Sequence, residues 1–246
     1  MLYLANTAHW QFLGLIVGAL AWILTTAAVG IDEWRVWYID DVTIITSGEA
    51  WVGIWKACFL SHAFPMTENC WSIGFSDPFA PVEIRLAQVL MMLAVICGLA
   101  GNISGALAMR MVYFSVEHRS NMRMLFVLAG ALYVLTATFS LVPLTWNMNS
   151  VLKNCTIDFP PEFHLPPAPV RQRVGIGIVV GILASIMMLI SGMLFLCYRY
   201  VWTDPEQTRE PLHSPWTETT LTQNTELSEG VIQGMHNPAF LTEAIS

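Results

Sequence analysis

Charge is scarce in this chain. Asp, Glu, Lys and Arg make up 12% of its 246 residues, while 55% are hydrophobic; a soluble globular domain carries about a quarter charged residues. Residues 1–31 contain none of the four. Lys and Arg number 11 against 18 acids, are scattered along the chain, and leave a formal charge of −7. Phosphate binding needs clustered Lys and Arg, so no nucleic-acid partner is expected. The marks of catalysis are missing as well. His9, His62, His118, His164, His213 and His236 are dispersed and match no metal-ligand spacing. No glycine-rich phosphate loop occurs, and no nucleophile stands in a recognisable motif. The sequence therefore predicts neither an enzyme nor a catalytic, cofactor or metal site.

Four long uncharged runs are present instead: Trp10–Gly30, Leu86–Met109, Met124–Val142 and Val174–Tyr198. Each suits the roughly 20 residues that a helix needs to cross the hydrocarbon core. Pro143 is read as the stop of the third. One such run fits a buried helix of a soluble protein; four in one chain predict a membrane bundle. The first run also admits a cleaved signal peptide, with Thr25-Thr26-Ala27-Ala28 as its small-residue end. No Lys or Arg precedes it, and it exceeds the roughly 7–15 residues of a signal core, so a retained helix is expected.

Four spans put both termini on one side. The short segment between spans two and three holds Arg110, Arg119 and Arg123 against Glu117, and Arg199 follows span four. Short Arg-rich loops stay cytoplasmic. Arg35, Lys56, Arg85, Lys153, Arg171 and Arg173 lie in the other two segments, so charge alone decides weakly. Cys58 and Cys70 add a second argument, because they can pair only in an oxidising compartment. Together these predict cytoplasmic termini and two extracellular loops, at about 31–84 and 144–173.

Gly14/Gly18, Gly101/Gly105 and Gly177/Gly181 each form G-x-x-x-G, and span three carries Ala129-Gly130-Ala131. Small residues on one face let backbones approach closely. An intrachain bundle explains them more simply than a dimerisation face. Gln88 and Asn102 are expected to face the bundle, where an amide finds a partner.

The first loop reads as β structure. Glu33–Tyr38 and Val42–Thr46 are rich in β-branched and aromatic residues, with Asp40-Asp41 and Ser47-Gly48 as turns. Ala50–Leu60 reads as a third strand, and a fourth starts near Cys70. A Cys58–Cys70 disulfide, enclosing residues 59–69, would tie strands three and four; two free thiols are the alternative, an unusual one on an extracellular loop.

Trp34, then Gly53-Ile54-Trp55, then Cys58 and Cys70 resemble the claudin signature W…G-L-W…C…C. Trp34-Arg35-Val36 opens the loop as in many claudins, and Ile45-Thr46-Ser47 precedes the G-I-W. Arg85-Leu86-Ala87 is similar to the R-A-L that begins the second claudin span, and Val142-Pro143-Leu144-Thr145-Trp146 to the proline and tryptophan that end the third. The likeness covers about residues 8–200. It implies an all-α transmembrane four-helix bundle, left-handed, with a small extracellular antiparallel β-sheet, most of its strands from the first loop and one from the second. It also implies a structural protein of the plasma membrane at tight junctions. Such a protein sits in the lipid bilayer and self-associates, or associates with other claudins, side by side (cis) and across the intercellular gap (trans). The strands so formed seal the paracellular space or conduct ions through it. Trp34, Gly53 and Trp55 would anchor the sheet near the membrane surface.

The chain departs from the family pattern in places, as an atypical member would. The segment between the cysteines is longer than usual, so the hairpin tip Ser61–Asn69 puts partner choice in doubt. Trp71 stands where several pore-forming claudins place a selectivity charge. Asp32, Glu33, Asp40, Asp41, Glu49, Glu68 and Asp77 outnumber Arg35 and Lys56. A pore lined by this loop would favour cations; a solvated acidic face without a pore is the plainer reading.

In the second loop, Pro160, Pro161, Pro166, Pro167 and Pro169 favour an extended segment. Phe159-Pro160 is a partial echo of an aromatic and a proline that claudins use across the gap. Asn154-Cys155-Thr156 fits the glycosylation sequon, and Cys155 is an odd extracellular cysteine, free, buried or bridging to another chain. Cys197, at the inner edge of span four, is a candidate for palmitoylation, an inert cysteine being the alternative. Residues 201–246 read as a disordered cytoplasmic tail, with Asn237-Pro238-Ala239-Phe240 a weak match to an adaptor motif. Claudins usually end in a hydrophobic residue that docks in PDZ scaffolds; Ser246 fills that pocket poorly, which argues against scaffold binding. The relatives of claudins include auxiliary subunits of channels and receptors, so a regulatory membrane protein that forms no strands by itself is the alternative function.

Overall fold

The computed structural model describes residues 2–39, 45–61, 68–114, 119–161 and 169–201. Four helices carry most of them: α1 (Leu2–Gly30), α2 (Val82–Phe114), α3 (Arg119–Leu152) and α4 (Ile176–Val201). Five short strands lie between: β1 (Arg35–Tyr38), β2 (Ile45–Val52), β3 (Lys56–Ser61), β4 (Glu68–Ser72) and β5 (Arg171–Val174). The readings of Asp40-Asp41, of most of the hairpin tip, of Pro166-Pro167 and of the tail beyond residue 201 lie outside the described residues.

All four helices are long and apolar enough to cross a membrane. Their packing is that of a protein in lipid. Leu20 and Ile23 on α1, Ile96 and Ile103 on α2, Leu128 and Leu135 on α3, and Leu183 and Ile190 on α4 face outward, whereas Ala21, Ala94, Ala108, Ala129, Ala137 and Ala184 are fully buried. Lipid removes the hydrophobic drive between helices, so close backbone approach and van der Waals contact hold the bundle. α2 packs on α3, α3 on α4, α4 on α1 and α1 on α2, closing the ring. The glycine pairs serve this packing: a Cβ at Gly18 would stand 2.7 Å from the Tyr133 ring and 2.8 Å from Ser191 Oγ, and one at Gly105 would press on Leu15 and Phe195. Tyr133, Phe126 and Phe195 fill the space so made, with ring centroids 5.5–5.7 Å apart. Tyr133 Oη donates to Asn102 Oδ1 at 2.9 Å, so Asn102 faces a neighbouring helix as expected.

Two readings of the helices are corrected. Pro143 does not stop span three, because α3 runs through it to Leu152. Proline removes one backbone bond, which membrane helices tolerate when neighbouring side chains satisfy the local polar groups. The carbonyl that loses its N–H is Phe139 O; on the following turns Thr145 Oγ1 donates to Leu141 O at 2.7 Å and Asn147 Nδ2 to Pro143 O at 2.9 Å, and the helix continues. The second loop is correspondingly shorter. Span four begins at Ile176, since Val174 is the last residue of β5.

The strands form one antiparallel sheet in the order β4-β3-β2-β1-β5. Its last member comes from the second loop, and the sheet sits where α1 ends and α4 begins. Ser47-Gly48 is no turn: both lie inside β2. Ile45 opposes Ser61 while Ala50 opposes Phe59, so β2 carries surplus residues, taken up as a bulge where Gly48 adopts φ 64°. Glycine enters that region without a Cβ clash. The strand expected over 50–60 is likewise split. Gly53 N donates to Lys56 O at 2.9 Å and closes a turn at 53–55. Trp37, Val52, Ala57, Phe59, Ile73, Ile84, Ile157 and Phe159 form the core beneath the sheet.

Candidate functional site

The site is the sheet and its seat on the bundle. Trp34 ends the link from α1. It is 1% exposed, packs with Ala28, Ile54, Met91, Leu144 and Ile178, and donates from Nε1 to Ala28 O at 2.9 Å. One side chain thus joins α1, α2, α3, α4 and the turn at 53–55. Gly53 is there because Asp32 crosses it: a Cβ would stand 2.9 Å from Asp32 Cα. Ile54 points into the seat and Trp55 outward, 37% exposed. Gln88 Nε2 donates to Ile54 O at 2.6 Å and Ile73 O at 3.0 Å. Its partners are therefore backbone groups of the sheet region instead of another helix.

Cys58 and Cys70 are joined by a disulfide across a directly paired position of β3 and β4. Cys58 is buried, while β4 is exposed at four of its five positions. An edge strand with so little burial has few contacts to fix its register, so the covalent tie carries that task. Cys58→Ser or Cys70→Ser is expected to cost about 2–4 kcal/mol, read as reduced surface delivery. Wild-type delivery and adhesion of both variants would show the bridge to be dispensable.

The sequence shows Arg35 as a loop charge and as part of the opening Trp34-Arg35-Val36, without a partner for it. It is 1% exposed on β1, facing the helices. Its Nη2 donates to Asn147 Oδ1 on α3 at 2.6 Å and lies 3.3 Å from Glu83 Oε1 on α2. Ser150 Oγ donates to the same Glu83 oxygen at 2.8 Å, and Asn147 Nδ2 to Glu83 O at 3.1 Å. Burial pulls the Arg35 pKa below its ordinary value, with Glu83 opposing the shift. This knot binds the sheet to two helices. Its signal in the sequence was a lone arginine between Trp34 and Trp37. By contrast, Lys56 is half exposed and pairs with Asp32 at 2.8 Å. Asp32 raises the Lys56 pKa, so the pair persists at neutral pH and on the alkaline side is lost as pH rises through that raised value. Screening by water keeps its worth small.

Other expected residues lie apart. Arg85 is half-buried in the opening turns of α2, outside the knot. Asn154 is exposed just beyond α3, at φ 55°, beside exposed Cys155. Cys197 is exposed near the far end of α4. From the second loop, Gln172 Nε2 donates to Cys155 O at 2.7 Å, and Phe159 meets Trp37 edge-on at 5.4 Å. Both loops therefore share one core.

Comparison with known proteins agrees with this arrangement. Residues 19–197 match the family described as PMP-22/EMP/MP20/Claudin tight junction. Claudin-3 of Homo sapiens is 26% identical over 189 residues, 76% of this chain and 80% of the relative. Claudin-5 of Mus musculus is 28% identical over 204 residues, 80% and 86% of the two chains. Claudin-2 of Bos taurus is 26% identical over 190 residues, 76% and 77%.

Proposed function

Because this chain belongs to the PMP-22/EMP/MP20/Claudin tight junction family, we propose that it is a multi-pass structural protein of cell–cell tight junctions. It associates with copies of itself or other claudins, side by side and across the gap, and so builds a paracellular barrier. The observation that carries this reading is the sheet seated on four membrane-type helices through Trp34, Gly53-Ile54-Trp55 and the Cys58–Cys70 bridge. Both sheet edges, β4 and β5, are without a neighbouring strand among the described residues, and backbone groups on such edges can pair with another chain.

The charge balance supports a cation preference wherever the first loop lines a path. Arg35 is buried and Lys56 is paired, which leaves Glu33, Glu68 and Asp77 as the surplus. The exposed basic residues Arg171 and Arg173 sit on β5, at the opposite edge from Glu68. Freeze-fracture imaging of cells expressing this protein alone tests self-association: continuous strands at contacts are expected. Their absence, with surface expression intact, would favour an auxiliary or regulatory membrane protein. Transepithelial resistance and dilution potentials then separate sealing from cation passage.

The sheet end of the bundle is extracellular in this reading, and the Asn154 sequon reports it. Glycosidase treatment is expected to shift the wild-type band and to leave Asn154→Gln and Thr156→Ala unshifted. A wild-type band that does not move would remove this support for the orientation and exclude a glycan at Asn154.

A further inference from the structure

The two edge strands of the sheet run the same way. β1 is antiparallel to both β2 and β5, and β4 follows β2 by two further antiparallel steps. β4 and β5 therefore point in one direction from opposite edges. They also match in level. Arg173 stands opposite Val36, Val36 opposite Trp51, Trp51 opposite Cys58 and Cys58 opposite Cys70. Directly paired residues share a face, so Arg173 and Cys70 end one row across a single face. Two residues earlier on each strand, Arg171 and Glu68 lie on that same face.

The outward backbone groups are in phase with this row. Gly175 N donates to Trp34 O and Ile73 N to Trp55 O, each one pair beyond the strand registers. Alternation then turns the N–H and C=O of Gln172 and Val174 away from β1, and those of Cys70 and Ser72 away from β3. These groups have no backbone partner among the described residues. A second copy moved along the row sets its Arg173 opposite Cys70. In that parallel register Cys70 N donates to the neighbouring copy's Gln172 O, and its Val174 N to Cys70 O. Ser72 N donates to its Val174 O.

Charge selects the same partner. The register that closes these bonds sets Arg171 opposite Glu68. Glu68, Arg171 and Arg173 are exposed and form no ion pair among the described residues. A β5–β5 contact would instead oppose like charges. Size permits the approach: five strands about 4.8 Å apart repeat every ~24 Å, and a bundle two helices wide is about 20 Å across. We propose that copies of this chain join head to tail within one membrane, β4 of one pairing in parallel with β5 of the next and Glu68 meeting Arg171. This joint deepens the side-by-side association proposed above and rests on it. Because it joins unlike edges, each added copy leaves one edge of each kind open, and the row extends.

The test follows energy transfer between full chains bearing donor or acceptor fluorophores at the C-terminus, per delivered molecule, in cells kept apart so that only one membrane contributes. Wild-type transfer is expected above that of a monomeric multi-span control. Glu68→Arg and Arg171→Glu should each lower it about threefold, since an attraction becomes a repulsion. Both changes in one chain, or the two single variants expressed together, should restore it. Ser72→Pro removes a donor turned away from β3 and should lower transfer about twofold. Undiminished transfer in Ser72→Pro would overturn the hydrogen-bonded ladder. Wild-type transfer in both reversals, loss in only one of them, or no recovery in either combination would overturn the joint while leaving self-association standing. Wild-type transfer at the control level would overturn the joint and the association beneath it.

Discussion

Arg35→Ala is expected to destabilise the protein by about 3–5 kcal/mol, the cost of removing one partner from a buried ion pair. The variant strands Glu83 and Asn147 at the junction of α2 and α3, where Arg35 had served both. Glu83 keeps the hydroxyl of Ser150 but loses its counter-charge. Thermal unfolding of purified protein and the fraction reaching the cell surface should fall together. Removing the carboxylate as well should relieve part of the damage: Arg35→Met with Glu83→Gln is expected to lose less than the two single changes added. A wild-type melting midpoint for Arg35→Ala would dismiss the knot as a structural element.

Gly175→Ala is expected to be worse than an ordinary overpacked core, above about 3 kcal/mol. The reason is close approach. A Cβ at residue 175 would overlap the carbonyl oxygen of Glu33 and crowd the carbonyl carbon of Trp34. Both obstacles are backbone, so no rotamer change relieves them. Both carbonyls are also occupied: Gly175 N donates to Trp34 O and Gly177 N to Glu33 O, each at 2.9 Å. One methyl would therefore pry β1 from the start of α4 and weaken two hydrogen bonds at once. Gly53→Ala meets Asp32 Cα at 2.9 Å, a milder overlap, and should lie between Gly175→Ala and wild type in surface delivery. If Gly175→Ala matched wild type there, the tight junction of strand and helix would be wrong.

The four spans were legible because lipid imposes a length and forbids charge, and both can be read without knowing any contact. The strands of the first loop were legible in kind but not in phase. Ser47-Gly48 has turn chemistry, yet a bulge uses the same left-handed glycine, and only the partner strand decides between them. Pro143 misled for a related reason. The rule that proline ends a helix weighs one lost backbone bond against a helix standing alone, whereas α3 is held on both sides of Pro143 by its neighbours, and a membrane helix tolerates that loss. Ending the helix there hid the seat for Arg35, because Asn147 and Ser150 lie on the turns beyond the proline. Trp34, Gly53 and the cysteines were recognisable as a motif. The use of Gly175 and the carbonyl grip of Gln88 depend on residues brought together from distant parts of the chain, which no local pattern encodes.

The place of β5 in the sheet sets an order of events during biogenesis. β1 pairs with β2 soon after both emerge, but its other edge pairs with Arg171–Val174. At translation rates of about 5–20 residues per second, that partner emerges roughly 7–27 s later. In the interval two further spans, α2 and α3, must be threaded into the bilayer, while the backbone of Val36 and Trp37 stays open on one side. A ribosome that stalls before residue 171 therefore leaves a nascent chain displaying an unsatisfied strand edge, a surface that chaperones could bind and that full-length chains conceal.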